Sequence, residues 1–531
     1  MNKIANFLNQ RMDGNVYVTT RVLDAFSTDR SIMRIRPKFV AVPVNTDEVR
    51  KLVRFSHQLS KRKLQLGITV RGSGNDKTGA PLGSGIVIST KKLNSIRELD
   101  VRQRLVRVEA GITLGDLNHA LEAVGLYLPI SADPSHTIGG LLMNGYTGPI
   151  SGKYGGILNY VEQAEVILSN GDIIHTSSLT PRQLRKAKLD KTLEGEIYRK
   201  VSSQIEENPS IIEVIQNSPS SLAGYHNISK VLSGKRLDLL PLFAGSQGTL
   251  GIVTELILRC EYAGSDRTFL TAAFETAEKA AEFAEVANHF QPTAVDIYDL
   301  AIVNQTASAG KSLHILKKRP EEGFIVLVTF DDYRRYSRKR RAKRLTKYLS
   351  SAVSYEISEA SKYNHATELN GIIECYLNSI GNQDRLPMVD GAFIPNYMFT
   401  NYLHALKKLE KRHKTKAPAF GSYSTQTYSI RPEVNISTPK GRRAALDFLR
   451  DYTKIVTKLG GTICGGSPEG RFKAIYLKDY TSTPEVLDFN KSIKEAFDPA
   501  GVLNPGVKID VNSSASIRNL RVNPGNGIIT D

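Results

Sequence analysis

The sequence predicts an α+β protein of two domains, and three observations carry that prediction. Strands and amphipathic helices alternate as far as about residue 263, and the alternation restarts after Gly264. A glycine-rich loop near the beginning joins one strand to another instead of opening a helix. The third observation argues against a dinucleotide Rossmann domain, whose glycine turn must lead into a helix N-terminus.

Residues 1–34 read as a polar lead-in with some helical character. A strand over Lys38–Val42 follows. Asn45 with Glu48 three residues on is a capping-box start for a helix with Val49, Leu52, Val53 and Ser56 on one face. Strand Ile68–Val70 enters the glycine loop and strand Gly85–Thr90 leaves it. A strand over Leu105–Glu109 then precedes a helix capped by Thr113, with Leu114, Leu117, Leu121 and Val124 inward and Gly125 as its stop. Asn170-Gly171 between strands Ala164–Ser169 and Asp172–Thr176 predicts a hairpin with positive φ at both turn positions. Helices are expected between about 179 and 240, and one long strand over Gly251–Tyr262. After Gly264 come strand Thr268–Phe274, helix Thr276–Phe290, strands Val295–Tyr298 and Phe324–Thr329, and a basic helix over Arg334–Lys347. Strand Asp390–Pro395, helix Met398–Lys411, the strand-like stretch Ala419–Ile430 and helix Arg442–Leu459 complete the second unit.

The loop itself reads Arg71-Gly72-Ser73-Gly74-Asn75-Asp76-Lys77-Thr78-Gly79. Its glycines permit positive φ, so successive N–H groups turn into one concavity; with Arg71 beside it, this suits the pyrophosphate of a nucleotide cofactor. Three further strings follow in order. They are Asp133-Pro134-Ser135-His136-Thr137-Ile138-Gly139-Gly140-Leu141-Leu142-Met143-Asn144-Gly145-Tyr146-Thr147-Gly148, then Phe243-Ala244-Gly245-Ser246-Gln247-Gly248-Thr249-Leu250-Gly251-Ile252-Val253-Thr254-Glu255, then Phe497-Asp498-Pro499-Ala500-Gly501-Val502-Leu503-Asn504-Pro505-Gly506. In this order and spacing they resemble the vanillyl-alcohol oxidase/p-cresol methylhydroxylase (PCMH-type) family of FAD enzymes, nearest the glycolate oxidase/D-lactate dehydrogenase branch.

The resemblance implies a two-part PCMH-type FAD-binding domain over 35–263 and a ferredoxin-like α/β cap over 264–460. It also implies a segment returning to the FAD domain over 461–510, which leaves 511–531 as a loose tail. It assigns Arg71, Gly72, Ser73, Gly74, Asn75 and Asp76 to the FAD diphosphate. Pro134, Ser135, Thr137, Ile138, Gly139, Gly140, Asn144, Gly145 and Gly148 fall along the ribityl chain and flavin. Gln247, Gly248, Gly251, Ile252 and Val253 fall on the adenine-side strand, and Asn504 near the ring. Relatives that bind FAD covalently do so through a loop histidine, where this chain has Asn75, or a cysteine near Lys153-Tyr154-Gly155, where it has none. Non-covalent FAD is therefore expected, with His136 a weaker alternative anchor.

The hydroxy-acid branch holds a metal through histidines in two strings. The matching regions here are Phe420-Gly421-Ser422-Tyr423-Ser424-Thr425-Gln426-Thr427-Tyr428-Ser429-Ile430-Arg431 and Cys464-Gly465-Gly466-Ser467-Pro468-Glu469-Gly470-Arg471. Ser422 stands for the first histidine and Gly466-Ser467 for Glu-His. Hydroxyls are poor ligands beside imidazole and carboxylate, so no catalytic metal is expected. That leaves Tyr423, Tyr428, Arg431 and Arg471 as the candidate catalytic residues, with Glu469 beside them. Arginine would hold an anion and a tyrosine of lowered pKa would act as base. The expected activity is oxidation of a C–OH group on a small anionic or polar substrate.

The 531 residues, with 40% hydrophobic and 23% charged, suit a globular chain with a sizeable core. The start lacks a secretory pattern, and Cys260, Cys375 and Cys464 form no metal motif, so a cytoplasmic protein is expected. The formal charge of +18 is concentrated in Arg334–Lys347. A solvated helix with Tyr336, Leu345 and Tyr348 inward is the plain account of that run, and a peripheral membrane or nucleic-acid contact is the alternative. Two other functions stay open from sequence: a flavin-containing electron-transfer or assembly subunit, and a basic binding protein on a flavin fold.

Overall fold

The computed structural model describes all residues except Met1, Ser220, 265–266, 309–315, Lys317, 361–387, 477–483 and 522–531. Strands Phe39–Val42, Ile86–Ser89 and Ile68–Arg71 lie parallel in that order, and Asn15–Tyr17 pairs antiparallel on the outer edge of the first. Ile86–Ser89 is apolar almost throughout and buried at every residue, as a parallel strand covered on both faces must be. Asn45 caps helix Thr46–Lys61 by accepting from Glu48 N–H. The Glu48 carboxylate does not close the box; it takes the N–H groups of Asp13, Gly14 and Val44, fastening the lead-in to this sheet.

A second, antiparallel sheet runs Ile96–Asp100, Leu105–Glu109, Ile252–Arg259, Val161–Ile167, Ile173–His175. The helix after Thr113 ends at Glu122, and Val124 is exposed, outside its apolar face. At the hairpin only Gly171 has positive φ (84°). Asn170 does not; its side-chain oxygen accepts the Asp172 N–H at 2.9 Å, stabilising a different turn from the one expected.

Seven antiparallel strands form the cap sheet. Their order is Ser354–Ala360, Arg267–Phe274, Phe324–Phe330, Ala294–Asp299, Ala419–Ser422, Thr427–Ile430, Val389–Phe393. One face buries its alternate residues against helices Ala277–His289, Arg335–Leu345, Phe399–His413 and Pro439–Lys458. The other face looks toward the glycine loops. In the basic helix the inward residues are Arg338, Ala342 and Leu345, whereas Tyr336 and Tyr348 are exposed. Spacing explains the difference, since 338, 342 and 345 share one helical face and 336 does not. Arg338 donates to the carbonyls of Asp332 (2.6 Å) and Tyr333 (3.3 Å).

After the cap the chain returns. Leu503 bridges Ile68, and helix Pro484–Phe497 buries Phe489, Ile493, Ala496 and Phe497 in the core of the antiparallel sheet. Residues 511–521 of the expected loose tail are folded against the rest of the chain. Residues Ser513–Arg518 form a helix, Leu520 is buried, and Arg34 N–H donates to Asn519 O at 2.7 Å. Cys260 and Cys464 are buried, and Cys375 lies outside the described residues. No helix among the described residues is long and apolar enough to cross a membrane.

Candidate active site

A cleft of about 370 Å³ separates the glycine loops from the part of the cap sheet's second face that carries Asp296, Tyr298, Phe420, Ser422, Thr427 and Ser429. Gly72, Ser73, Gly74, Asn75, Asp76, Thr137, Gly139, Gly140, Asn144, Gly148, Gln247, Gly248, Gly251, Ile252 and Val253 line one wall. Their side chains mostly bind one another. Asp76 Oδ1 accepts from Thr78 N–H, and its Oδ2 accepts from Asn144 Nδ2 at 2.9 Å. Asn75 Nδ2 donates to Ser135 Oγ at 2.6 Å, Thr137 Oγ1 caps Gly140 N–H, and Gln247 Nε2 donates to Thr78 Oγ1 at 2.9 Å. The loops are thus knitted together by side chains, which leaves main-chain surface to face a ligand.

The remaining positions support this wall from outside the cleft. Arg71 bonds Thr28 O at 2.6 Å, with its guanidinium packed against the back of Gly74. Ile138 is fully buried, and Gly145 ends its helix in the left-handed region beside Leu222. Pro134 packs on Gly115, and Ser135 is exposed except for its bonds to Asn75 and Asp133. Asn504 is a keystone of this wall. Its Nδ2 donates to Ala80 O (3.0 Å) and Gln247 O (2.7 Å), and its Oδ1 accepts from Thr69 Oγ1 (3.0 Å) and Arg471.

The residues present fit a flavin dinucleotide. A Cβ at Gly140 would meet only the Thr137 hydroxyl, 2.8 Å away, and one at Gly248 only Asn504 Nδ2 at 4.0 Å. At Gly140 the space toward the cleft is open, and Gly248 adopts φ +74°, a backbone conformation that itself favours glycine. Gly140→Ala should therefore weaken FAD binding by about tenfold or more while the protein still folds, read as flavin absorbance retained per chain after gel filtration.

The cap wall departs from expectation. In strand Thr427–Ile430, Thr427 and Ser429 line the cleft, so Tyr428 points to the opposite face. Tyr428 stacks on Phe399 (centroids 4.6 Å apart), and Tyr423 meets the same ring edge-on at 5.9 Å. Burial raises both phenols, Tyr423 to about 12 and Tyr428 well above its ordinary value, the reverse of what a base requires. Arg471 spans Leu82 O, Pro505 O and Asn504 Oδ1 and does not line the cleft. Glu469 is buried against Lys508 at 2.6 Å. Arg431 is buried behind Phe420 and pairs with Asp390 at 2.6 Å.

The residue that sequence reading missed is Asp296. It lies on strand Ala294–Asp299, where Val295 and Ile297 enter the helix-side core and Asp296 and Tyr298 line the cleft. It is 2% exposed and its Oδ1 has no hydrogen-bond partner. Burial pushes its carboxyl up to about 7, although a hydrogen bond from Ser422 opposes the shift. An aspartate between Val295 and Ile297, in a strand whose neighbours are apolar, was the available signal.

Polar contacts join the loop side to the cap at two places, one across the cleft and one outside it. Lys77 reaches Asp390 at 3.1 Å, and Lys153 and Tyr154 (Oη at 2.6 Å) both bind Asp331 of the cap. Residues 153–155, where some relatives carry a covalent cysteine, therefore tether the cap.

Residues 37–177 match the FAD binding domain, and residues 264–507 match the C-terminal domain of FAD-linked oxidases. The glycolate oxidase subunit GlcD of Bacillus subtilis is 27% identical, covering 88% of each chain. D-2-hydroxyglutarate dehydrogenase of Pantoea ananatis is 25% identical over 91% of this chain, which spans about half (49%) of that relative's length. The structure of p-cresol methylhydroxylase with substrate bound superposes with a TM-score of 0.70 at 15% identity, covering 96% of this chain and 97% of the other. With the glycine-loop wall and the cap of a PCMH-type fold both in place, the chain belongs to the vanillyl-alcohol oxidase/p-cresol methylhydroxylase family of FAD-linked oxidases, and FAD is its cofactor.

Proposed function

We propose that this chain oxidises the C–OH carbon of a small 2-hydroxy carboxylate, the substrate class named for its relatives. The carrying observation is a buried, half-unpartnered carboxylate, Asp296, facing the glycine-loop wall across one cleft. FAD, when bound, supplies the hydride acceptor. Gly72–Asp76 would hold its diphosphate through main-chain amides, and Gly139, Gly140, Gln247 and Gly248 would flank the rest. Asp296 accepts the hydroxyl proton as the carbon is oxidised to a carbonyl, and the cap sheet with its tethers keeps bulk water from the reacting centre.

The cap wall supports a route without a catalytic metal. Ser422 and Ser467 present hydroxyls to the cleft, and hydroxyls are poor metal ligands beside imidazole and carboxylate. Asn75 at the loop position supports non-covalent FAD, and the His136 ring is oriented by a contact of its Nδ1 with Asp133 O at 3.1 Å. Segment 334–347 reads as a solvated cap face, since Arg335 and Lys339 share Glu359 and Arg341 pairs with Asp332.

Anaerobic mixing of the yellow holoenzyme with D-2-hydroxyglutarate, D-lactate and glycolate tests the reading. At least one should bleach the flavin's visible band, and acid precipitation should leave the flavin in the supernatant. Bleaching by polyols or phenols alone would overturn the substrate class, and a pellet that stays yellow would overturn non-covalent attachment.

A further inference from the structure

Among the described residues Lys77 is the only lysine or arginine lining the cleft. It rises from the cofactor loop, yet its ammonium meets Asp390 of the cap at 3.1 Å. Asp390 lies beside Ser467, whose hydroxyl donates to the Asp390 carbonyl, and both residues line the cleft with Ser429 and Gly391. Behind Asp390 stands Arg431, 2.6 Å away and fully buried, with two guanidinium nitrogens, Nε and one Nη, lacking hydrogen-bond partners. Three charges thus stand in line from the loop into the cap: cation, carboxylate, cation. Burial alone would raise the Asp390 carboxyl, but Arg431 and Lys77 hold it well below the usual carboxylate range.

Such a line is not needed to hold the cap, because Lys153 and Tyr154 already bind Asp331. One cation would suffice to neutralise Asp390, and Arg431 is the closer and more deeply buried of the two. Withdrawing Lys77 leaves Asp390 paired, so it avoids the large penalty of stranding a buried charge. Lys77 is the removable partner, with a flexible stem, three donors and about a third of its side chain exposed.

We propose that Lys77 is the cation that takes the substrate's carboxylate, and that Asp390 parks it between turnovers while Arg431 keeps Asp390 neutralised throughout. This deepens the hydroxy-acid reading and rests on it for the identity of the anion. Asp296 and Lys77 then act from different walls of one cleft, one on the hydroxyl proton and the other on the carboxylate. Asp390 sets how tightly the anion is held, because the substrate must compete with it for Lys77.

The test titrates holoenzyme with oxalate, a carboxylate with no C–H to oxidise, and with its uncharged diamide, following the flavin spectrum. Lys77→Gln should weaken oxalate binding by roughly 10- to 100-fold, leave any response to the diamide unchanged, and load its effect on hydroxy-acid turnover onto KM more than kcat. Lys77→Arg should recover part of the loss. Asp390→Asn, which lies off the cofactor loop, should tighten oxalate binding because its competitor is gone, and it keeps the test decisive if Lys77→Gln loses FAD. Oxalate binding unchanged in Lys77→Gln, or weakened in Asp390→Asn, overturns the proposal. If hydroxy acids bleach the flavin while oxalate ignores Lys77, this inference fails and the activity stands. If oxalate depends on Lys77 while no hydroxy acid is oxidised, the reverse holds.

Discussion

Replacing Asp296 by Asn is expected to lower kcat by about 10²- to 10⁴-fold, the usual contribution of a positioned general base. FAD content should stay unchanged, because the side chain belongs to the cap sheet and not to the loop wall. Only ionised Asp296 can accept a proton, so wild-type kcat/KM should climb with pH through about 7, and the variant's residual rate should lack that limb. Stability should move the other way. Burial raises the folded carboxyl to about 7, against an ordinary aspartate value of about 3.9 in the unfolded chain, so the folded state binds the extra proton between those values. Its favourable contribution is complete below the lower value and disappears as pH rises through the upper one. The neutral Asn variant avoids that loss and should become the more stable protein above pH 7, by at most about 4 kcal/mol. Urea melts at pH 5.5 and 8.5 would show it. An equal melt difference at both pH values would mean that Asp296 is already ionised in the folded protein, and the base assignment would fall.

The second large effect is on folding. Lys508 and Glu469 both have side chains that are 0% exposed and lie 2.6 Å apart. Glu469 also takes the Gly224 N–H (2.7 Å), and Lys508 donates to Leu222 O (3.0 Å). Lys508→Met leaves a carboxylate buried without its cation, and about 3–5 kcal/mol of stability should be lost. Adding Glu469→Gln should restore a good part of it, because the amide needs no counter-ion; a double-mutant cycle measures the coupling. Single and double variants equally unstable would show that shape, not charge, matters there.

The glycine-rich strings were readable because close backbone approach restricts residue type and leaves a pattern in the chain. The cap wall was harder, since alternation in a strand shows which residues share a face but not which face meets the cofactor. Tyr423 and Tyr428 illustrate this: aromatic residues looked chemical, yet they fill the helix-side core, while the plainer Thr427 and Ser429 reach the cleft. Arg471 and Glu469 resembled site residues because their neighbours match site strings, but long-range partners claim them. Those partners, Asn504 and Lys508, lie 33 and 39 residues further along the chain. Asp296 was overlooked because a carboxylate within a strand carries no motif, and only the burial around it raises its pKa.

The way both ends of the chain interlock bears on synthesis. Ile68 accepts Leu503 as a neighbour, Met33 bridges Leu520, and Asn504 clasps the carbonyls of Ala80 and Gln247. While a ribosome is still producing residues 503–521, the earlier strands lack these partners, so the nascent polypeptide cannot yet possess a finished cofactor pocket. Tight flavin loading is therefore expected only after residues 503–504 have joined the wall, and a chain truncated before residue 503 should retain less FAD through gel filtration than the full chain.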